Sequence, residues 1–133
     1  MNLTLKPVSK EDYKFLYKLL KQRPKDECIS HRKMTTYKEH IKYLRTFPFF
    51  LNIIISVDGK SVGSFYETDR HEIGIHILRK YEYLVIEIIE VIMDLAKKGK
   101  NKIYFNINPK DNRFKSLLTK RCKLIQYTYE NIY

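Results

Sequence analysis

Residues 72–98, EIGIHILRKYEYLVIEIIEVIMDLAKK, change period halfway along. In the first part Ile73, Ile75 and Ile77 alternate with Glu72, Gly74 and His76, the two-residue repeat of a strand. In the second, Val85, Ile88, Ile89, Ile92 and Leu95 recur at helical spacing until Lys97, Lys98 and Gly99 supply a cationic last turn and a stop. A strand therefore feeds a helix through RKYEYLVIEI, residues 79–88. Such junctions often hold phosphate, because the first free N–H groups of the helix converge there and the dipole favours an anion. They usually need glycine, and this one has none.

Upstream, LNIIISV (51–57) and KSVGSFYET (60–68) flank Asp58-Gly59, a pair that supplies the positive backbone angles of a tight hairpin turn. A further turn near Asp69-Arg70 makes residues 72–78 the last strand of a meander. The chain opens with a strand, LTLKPVS, followed by a cap of Ser9 with Asp12 and a helix over residues 10–22 carrying Tyr13, Leu16, Tyr17 and Leu20 on one side. RPKDECISHRKMT reads as a long loop closed off by Pro24. Thr36 and Glu39 then cap a short second helix ending near Thr46, before Pro48.

Downstream, KIYFNIN is a fifth strand broken by Pro109. Asp111 or Asn112 caps a fourth helix through about Lys120, and KLIQYTYENIY returns as a sixth strand. The order β-α-α-β-β-β-α-β-α-β predicts an α+β fold, with a central, mostly antiparallel sheet of about six strands and four helices. The length, 133 residues, suits one domain spanning 1–133.

Lys plus Arg number 26 against 15 Asp plus Glu, a net charge of +11 that attracts polyanions in general. The lysines are spread from Lys6 to Lys123 and no RGG run, zinc finger or aromatic RNA-binding motif accompanies them, so a solvated basic surface is favoured over a nucleic-acid site. No segment approaches the roughly 18 apolar residues of a membrane span, and MNLTLKPVSKED lacks the apolar core of a secretory signal, which predicts a cytoplasmic protein with no membrane partner. Cys28 and Cys122 form no ligand-spaced cluster, so neither a metal site nor a disulfide framework is expected.

The order of elements, together with LTLKPVSKEDYKFLYKLL, ISHRKM, VDGKSVGSFY, EIGIHIL and NINPK followed by KLIQYTYE, resembles a small bacterial and archaeal branch of the GNAT acetyltransferases. That resemblance spans nearly the whole chain and implies acetyl-CoA as cofactor. It implies that the fourth and fifth strands splay apart and that the pantetheine arm lies along the edge at Ile75, His76 and Ile77. The resemblance also implies Asn108 as a cofactor-binding residue. The pyrophosphate would sit on backbone at Tyr83, Leu84, Val85, Ile86 and Glu87, preceded by Glu82. Here the chain departs from the family: Tyr83, Val85 and Glu87 stand where small residues are expected, and Glu87 places negative charge in the first helical turn. Phe114 replaces a small residue on the last helix, and Leu118 the tyrosine that often protonates the leaving thiolate.

Glu72 and His76 share one face of strand four and are the candidate bases; histidine has a suitable unperturbed pKa. Tyr66 and Tyr104 flank the groove as candidate acids, although tyrosines in half-buried strands also serve as packing residues. The acceptor would meet the loop with His31, Arg32 and Lys33, which favours an anionic small molecule, while a solvated basic loop explains the same residues. Three functions follow as expectations: an acetyl-CoA-dependent N-acetyltransferase acting on a small-molecule amine; a GNAT-fold binding or regulatory module without catalysis, pairing as a homodimer through its exposed strands; and a basic polyanion-binding module.

Overall fold

The structure, a computed structural model, describes residues 2–23, 34–113 and 115–132. Its centre is the meander. Asp58 and Gly59, at φ 49° and 82°, close the hairpin between β2 (Phe49–Val57) and β3 (Lys60–Thr68). The second turn places its positive φ, 63°, on His71 and leads into β4 (Glu72–Ile77). Tyr66 then stands opposite Gly74, and Phe65 opposite Ile75. β1 (Leu3–Pro7) lies antiparallel to β2 on one edge. β5 (Tyr104–Phe105) lies parallel to β4 on the other, so the sheet runs in the order β1-β2-β3-β4-β5.

Helices cover both faces. α1 (Tyr13–Gln22) is entered through a 3-10 turn, Lys10–Asp12, in which the Ser9 N–H donates to Asp12 Oδ2 at 2.9 Å. Burial alone would raise the Asp12 carboxyl, but the Ser9 N–H and the Lys6 ammonium at 3.0 Å outweigh it and hold the group below its ordinary value. α2 (Tyr37–Thr46) carries the expected capping box, Thr36 Oγ1 accepting from the Glu39 N–H at 3.2 Å. α3 (Val85–Lys98) and α4 (Lys115–Arg121) follow.

On one face Ile55, Phe65 and Ile73 meet Leu84, Ile88 and Ile92, and α4 adds Leu117 and Leu118 against Val85, Ile89 and Met93. On the other, Leu16 and Leu19 of α1 pack on Ile54 and Leu78, with Leu44 of α2 beside them. Each such side chain contributes roughly 1.5–3 kcal/mol when fully buried. Burial on both faces therefore makes β3 and β4 a firm floor for whatever their end of the sheet carries.

One expectation is corrected. The sheet has five strands, not six: KIYFNIN pairs with β4 only through Tyr104 and Phe105, and KLIQYTYENIY takes up no strand pairing through residue 132. The physical reason is the shortness of β5, which offers almost no ladder for a sixth strand to extend. The segment is nevertheless extended, for residues two apart meet: the rings of Tyr127 and Tyr129 stack at 6.1 Å, and Gln126 Nε2 donates to Thr128 Oγ1 at 3.3 Å. At the end of α3, Gly99 stays right-handed at φ −76° and Lys100, at φ 56°, takes the left-handed position, with the Asn101 N–H bonded to Ala96 O at 2.9 Å. Cys122 is free and exposed, whereas Cys28 lies outside the described residues. No helix among the described residues is long and apolar enough to cross a membrane.

Candidate functional site

After Ile73 and Phe105 the parallel pairing stops while β4 continues to Ile77. The two chains part, and a cleft opens between residues 73–76 and residues 105–108, lined also by Arg23, Asp111 and Arg113. Alternation decides what faces it. Ile73, Ile75 and Ile77 pack towards α3, which leaves Glu72, Gly74 and His76 on the opposite face under α1 and α2. Beyond the last pair, the β5-facing edge of β4 has no strand partner. A broader depression of about 510 Å³ between α1 and α2, lined by Lys14, Tyr17, Lys18, Lys21, Gln22 and Tyr37, has more room but brings no acid and base together.

Tyr66 crosses the floor of this face. Its ring covers Gly74, so that a Cβ at position 74 would fall well inside contact distance of the phenol. Phe49 and His76 flank the ring at 5.4 and 6.1 Å. Gly74→Ala should therefore destabilise the fold by about 1–3 kcal/mol through overpacking. In a Tyr66→Ser background the same change should be neutral or stabilising, since alanine is a better strand residue than glycine. Urea unfolding of the four proteins in this cycle checks it; an equal loss in both backgrounds would refute the contact.

Glu72 is held at the closed end of the cleft. Its N–H donates to Thr68 Oγ1 at 3.2 Å, and its Oε2 accepts from Asn106 Nδ2 at 2.5 Å, a bond that ties β4 to the chain leaving β5. Tyr66 is kept protonated well into the alkaline range: burial raises the phenol, the Arg23 charge opposes this and Glu72 adds to it. His76 is pushed down to about 3 by burial, then by Arg23, Arg113 and His40. His40, buried in α2, is lowered by burial as well. The ordinary pKa that made His76 a candidate base is thus absent from the folded protein. It is a neutral ring at pH 7 and a poor proton acceptor.

The strand-to-helix junction is occupied by helix. Residues Arg79–Leu84 form a 3-10 turn that runs straight into α3: the Tyr81 N–H bonds to Leu78 O at 2.8 Å, and the Val85 N–H to Glu82 O. Of the N–H groups expected to greet a pyrophosphate, that of Val85 is taken up within this turn. Leu84 and Val85 are buried in the core, Ile86 and Glu87 face outward, and Tyr83 is 71 % exposed. The expected backbone seat at residues 83–87 thus falls on the end of the 3-10 turn and the first turn of α3.

Asn108 lines the cleft and turns the chain, accepting from the Lys110 N–H through Oδ1 at 2.9 Å and from the Asp111 N–H through its carbonyl at 2.9 Å. Tyr104 is half-exposed opposite Glu72. Leu118 packs against the α3 cluster. His31, Arg32, Lys33 and Phe114 lie outside the described residues. Arg23, Asn106, Asp111 and Arg113 were not foreseen. For Asn106 a signal existed, because Ile103, Phe105 and Ile107 alternate with Tyr104, Asn106 and Asn108. For Arg23 there was none, since a basic residue before Pro24 reads as an ordinary helix end.

No family model matches the sequence, and no curated protein does. Solved structures do. A domain from Methanocaldococcus jannaschii superposes with a TM-score of 0.72 at 14% identity, over 90% of this chain and 86% of that one. Ribosomal-protein-alanine N-acetyltransferase from Brucella melitensis biovar Abortus superposes with a TM-score of 0.68 at 13% identity, over 100% and 99%. AAC(6')-Iy, in complex with the bisubstrate analogue CoA-S-monomethyl-acetylneamine, does so with a TM-score of 0.62 at 11% identity, over 99% and 100%.

Proposed function

Because the chain has the fold of the GNAT N-acetyltransferases, we propose that it transfers an acetyl group from acetyl-CoA to an amine of a small molecule. The observation that carries this reading is the parting of β4 from β5 after Ile73 and Phe105. It leaves a free strand edge at residues 74–77 beside a tethered carboxylate, Glu72, and a protonated phenol, Tyr66. A bound arm that mimics a strand is satisfied by such an edge. Acetyl-CoA, when bound, supplies the thioester that the amine attacks. Glu72 takes up the amine proton, directly or through water, and the Tyr66 hydroxyl is the donor on the same face.

The residues fit the two ends of the cofactor unequally. The arm fits the edge of β4. As it stands the cleft, about 20 Å³, has room for about one water molecule, so entry requires the chain after β5 to swing away from β4. Two ladder pairs, the Tyr104 N–H bond to His71 O, the Asn106–Glu72 bond and the packing of Phe105 and Ile107 hold it there. The diphosphate does not fit a backbone seat, because the helix fills it; the exposed side chains of Arg79 and Lys80 are the cations of that turn.

That misfit favours a second reading, a GNAT-fold binding module without transfer chemistry. Calorimetric titration with acetyl-CoA, CoA and ATP separates the two. Transfer predicts micromolar binding of acetyl-CoA and not of ATP, weakened by salt because side chains hold the phosphates. Binding of neither nucleotide would leave the module. Binding of all three, falling steeply with salt, would assign the effect to the lysine surface.

A further inference from the structure

The face of the cleft under α1 contains an arginine that forms no ion pair with the described residues. Arg23 follows the last turn of α1, its N–H reaching Leu20 O at 3.4 Å, and its extended backbone sends the side chain over Gly74, Ile75 and His76. Its Nε is buried and has no hydrogen-bond partner among the described residues. Arg113, across the cleft, differs: its Nε and Nη2 donate to the two oxygens of the buried Asp111 at 3.0 and 2.9 Å. Glu72 is bonded to Asn106 instead of to Arg23. Two further buried atoms from the elements around this face, His40 Nε2 and Thr35 Oγ1, also lack partners among the described residues.

A buried guanidinium nitrogen without an acceptor is destabilising by the full desolvation of the donor, and folds retain such groups where a ligand completes them. The guanidinium is planar and suited to bidentate oxyanions. We infer that this face of the cleft is an oxyanion site centred on Arg23, and that the acceptor amine it serves carries a carboxylate or phosphate group. The inference rests on the acetyl-transfer reading for the word acceptor, but the anion site itself does not. Glu72 lies at the far, closed end of the cleft, so an anion held at Arg23 aims the rest of a small molecule towards it.

The probes are inorganic phosphate and succinate, titrated into the full chain without acetyl-CoA, with the His76 ring followed by NMR at about pH 4. Either anion should bind in the millimolar range. It should raise the His76 pKa, because it offsets the Arg23 charge that helps hold the ring neutral. Arg23→Gln should weaken binding at least about tenfold and Arg23→Lys by less, while Arg70→Gln, an exposed arginine elsewhere, should not change it. Phosphate that binds better than succinate names a phosphorylated acceptor, and the reverse a carboxylate. Absence of binding by wild-type protein, or binding that leaves the His76 ring unmoved, overturns the site even if Arg23→Gln fails to fold. Acetyl-CoA binding without anion binding would sink the site and spare the transfer reading; anion binding without acetyl-CoA binding would do the opposite.

Discussion

Replacing His76 with glutamine is expected to remove a large part of the acid sensitivity of the fold. In the folded chain the ring titrates at about 3, held down by burial, Arg23, Arg113 and His40, whereas its unfolded value is the ordinary 6.5. Between those two values the unfolded chain holds a proton that the folded chain does not. Stability is therefore complete above pH 6.5 and falls on acidification, by about 1.4 kcal/mol per pH unit, until about pH 3. From pH 6.5 to 4.5 the loss through this one ring is of the order of 2–3 kcal/mol, a large share of the stability of a small domain. Urea unfolding of wild type and His76→Gln at both pH values reads it directly. The variant should lose less by about that amount. His40 is shifted in the same direction by burial, so His40→Gln should add a smaller gain in the same window. Equal losses in wild type and His76→Gln would mean that the ring is protonated without strain, and that the cations around it lie further off than the fold places them.

The same ring illustrates what can be read from residue order and what cannot. The meander, the capping boxes at Ser9 and Thr36, the helix after residue 84 and the two-faced pattern of β4 all follow from local rules of period, cap and turn, and all are present. Those rules put Glu72 and His76 on one face. They say nothing of the neighbours that set proton affinity, because Arg23 reaches the face from 50 or so residues upstream, by way of a helix end whose direction only packing decides. The missing sixth strand has a similar cause. Alternation in KLIQYTYENIY reports a chain able to pair, and the extended contacts of Tyr127 and Tyr129 agree, but pairing needs an edge, and β5 is two residues long. At the junction, Tyr83 stands in a 3-10 turn and Val85 and Glu87 in the first turn of α3. The 3-10 turn that closes it is a matter of backbone bonding that side-chain identity only suggests.

If Glu72 accepts the proton of the attacking amine, Glu72→Gln should lower kcat by about 10²–10⁴-fold and leave KM within a few-fold. The change is well suited to the purpose. Glutamine keeps the length of the side chain and an oxygen that can still accept from Asn106 Nδ2, so the tie across the closed end of the cleft persists while the carboxylate charge and basicity go. Unfolding in urea at pH 7 should accordingly differ little from wild type. Tyr66→Phe is the companion measurement. Burial keeps the phenol protonated, while the Arg23 charge and Glu72 shift it in opposite directions. A donor role there predicts a loss that adds to that of Glu72→Gln only in part, since both groups would serve one proton transfer. Release of CoA from acetyl-CoA in the presence of a panel of amines, neutral and anionic, gives the rates. Unchanged turnover in Glu72→Gln with a large loss in Tyr66→Phe would transfer the acid–base role to the phenol. Unchanged turnover in both would mean that the β4 face positions the reactants and moves no proton.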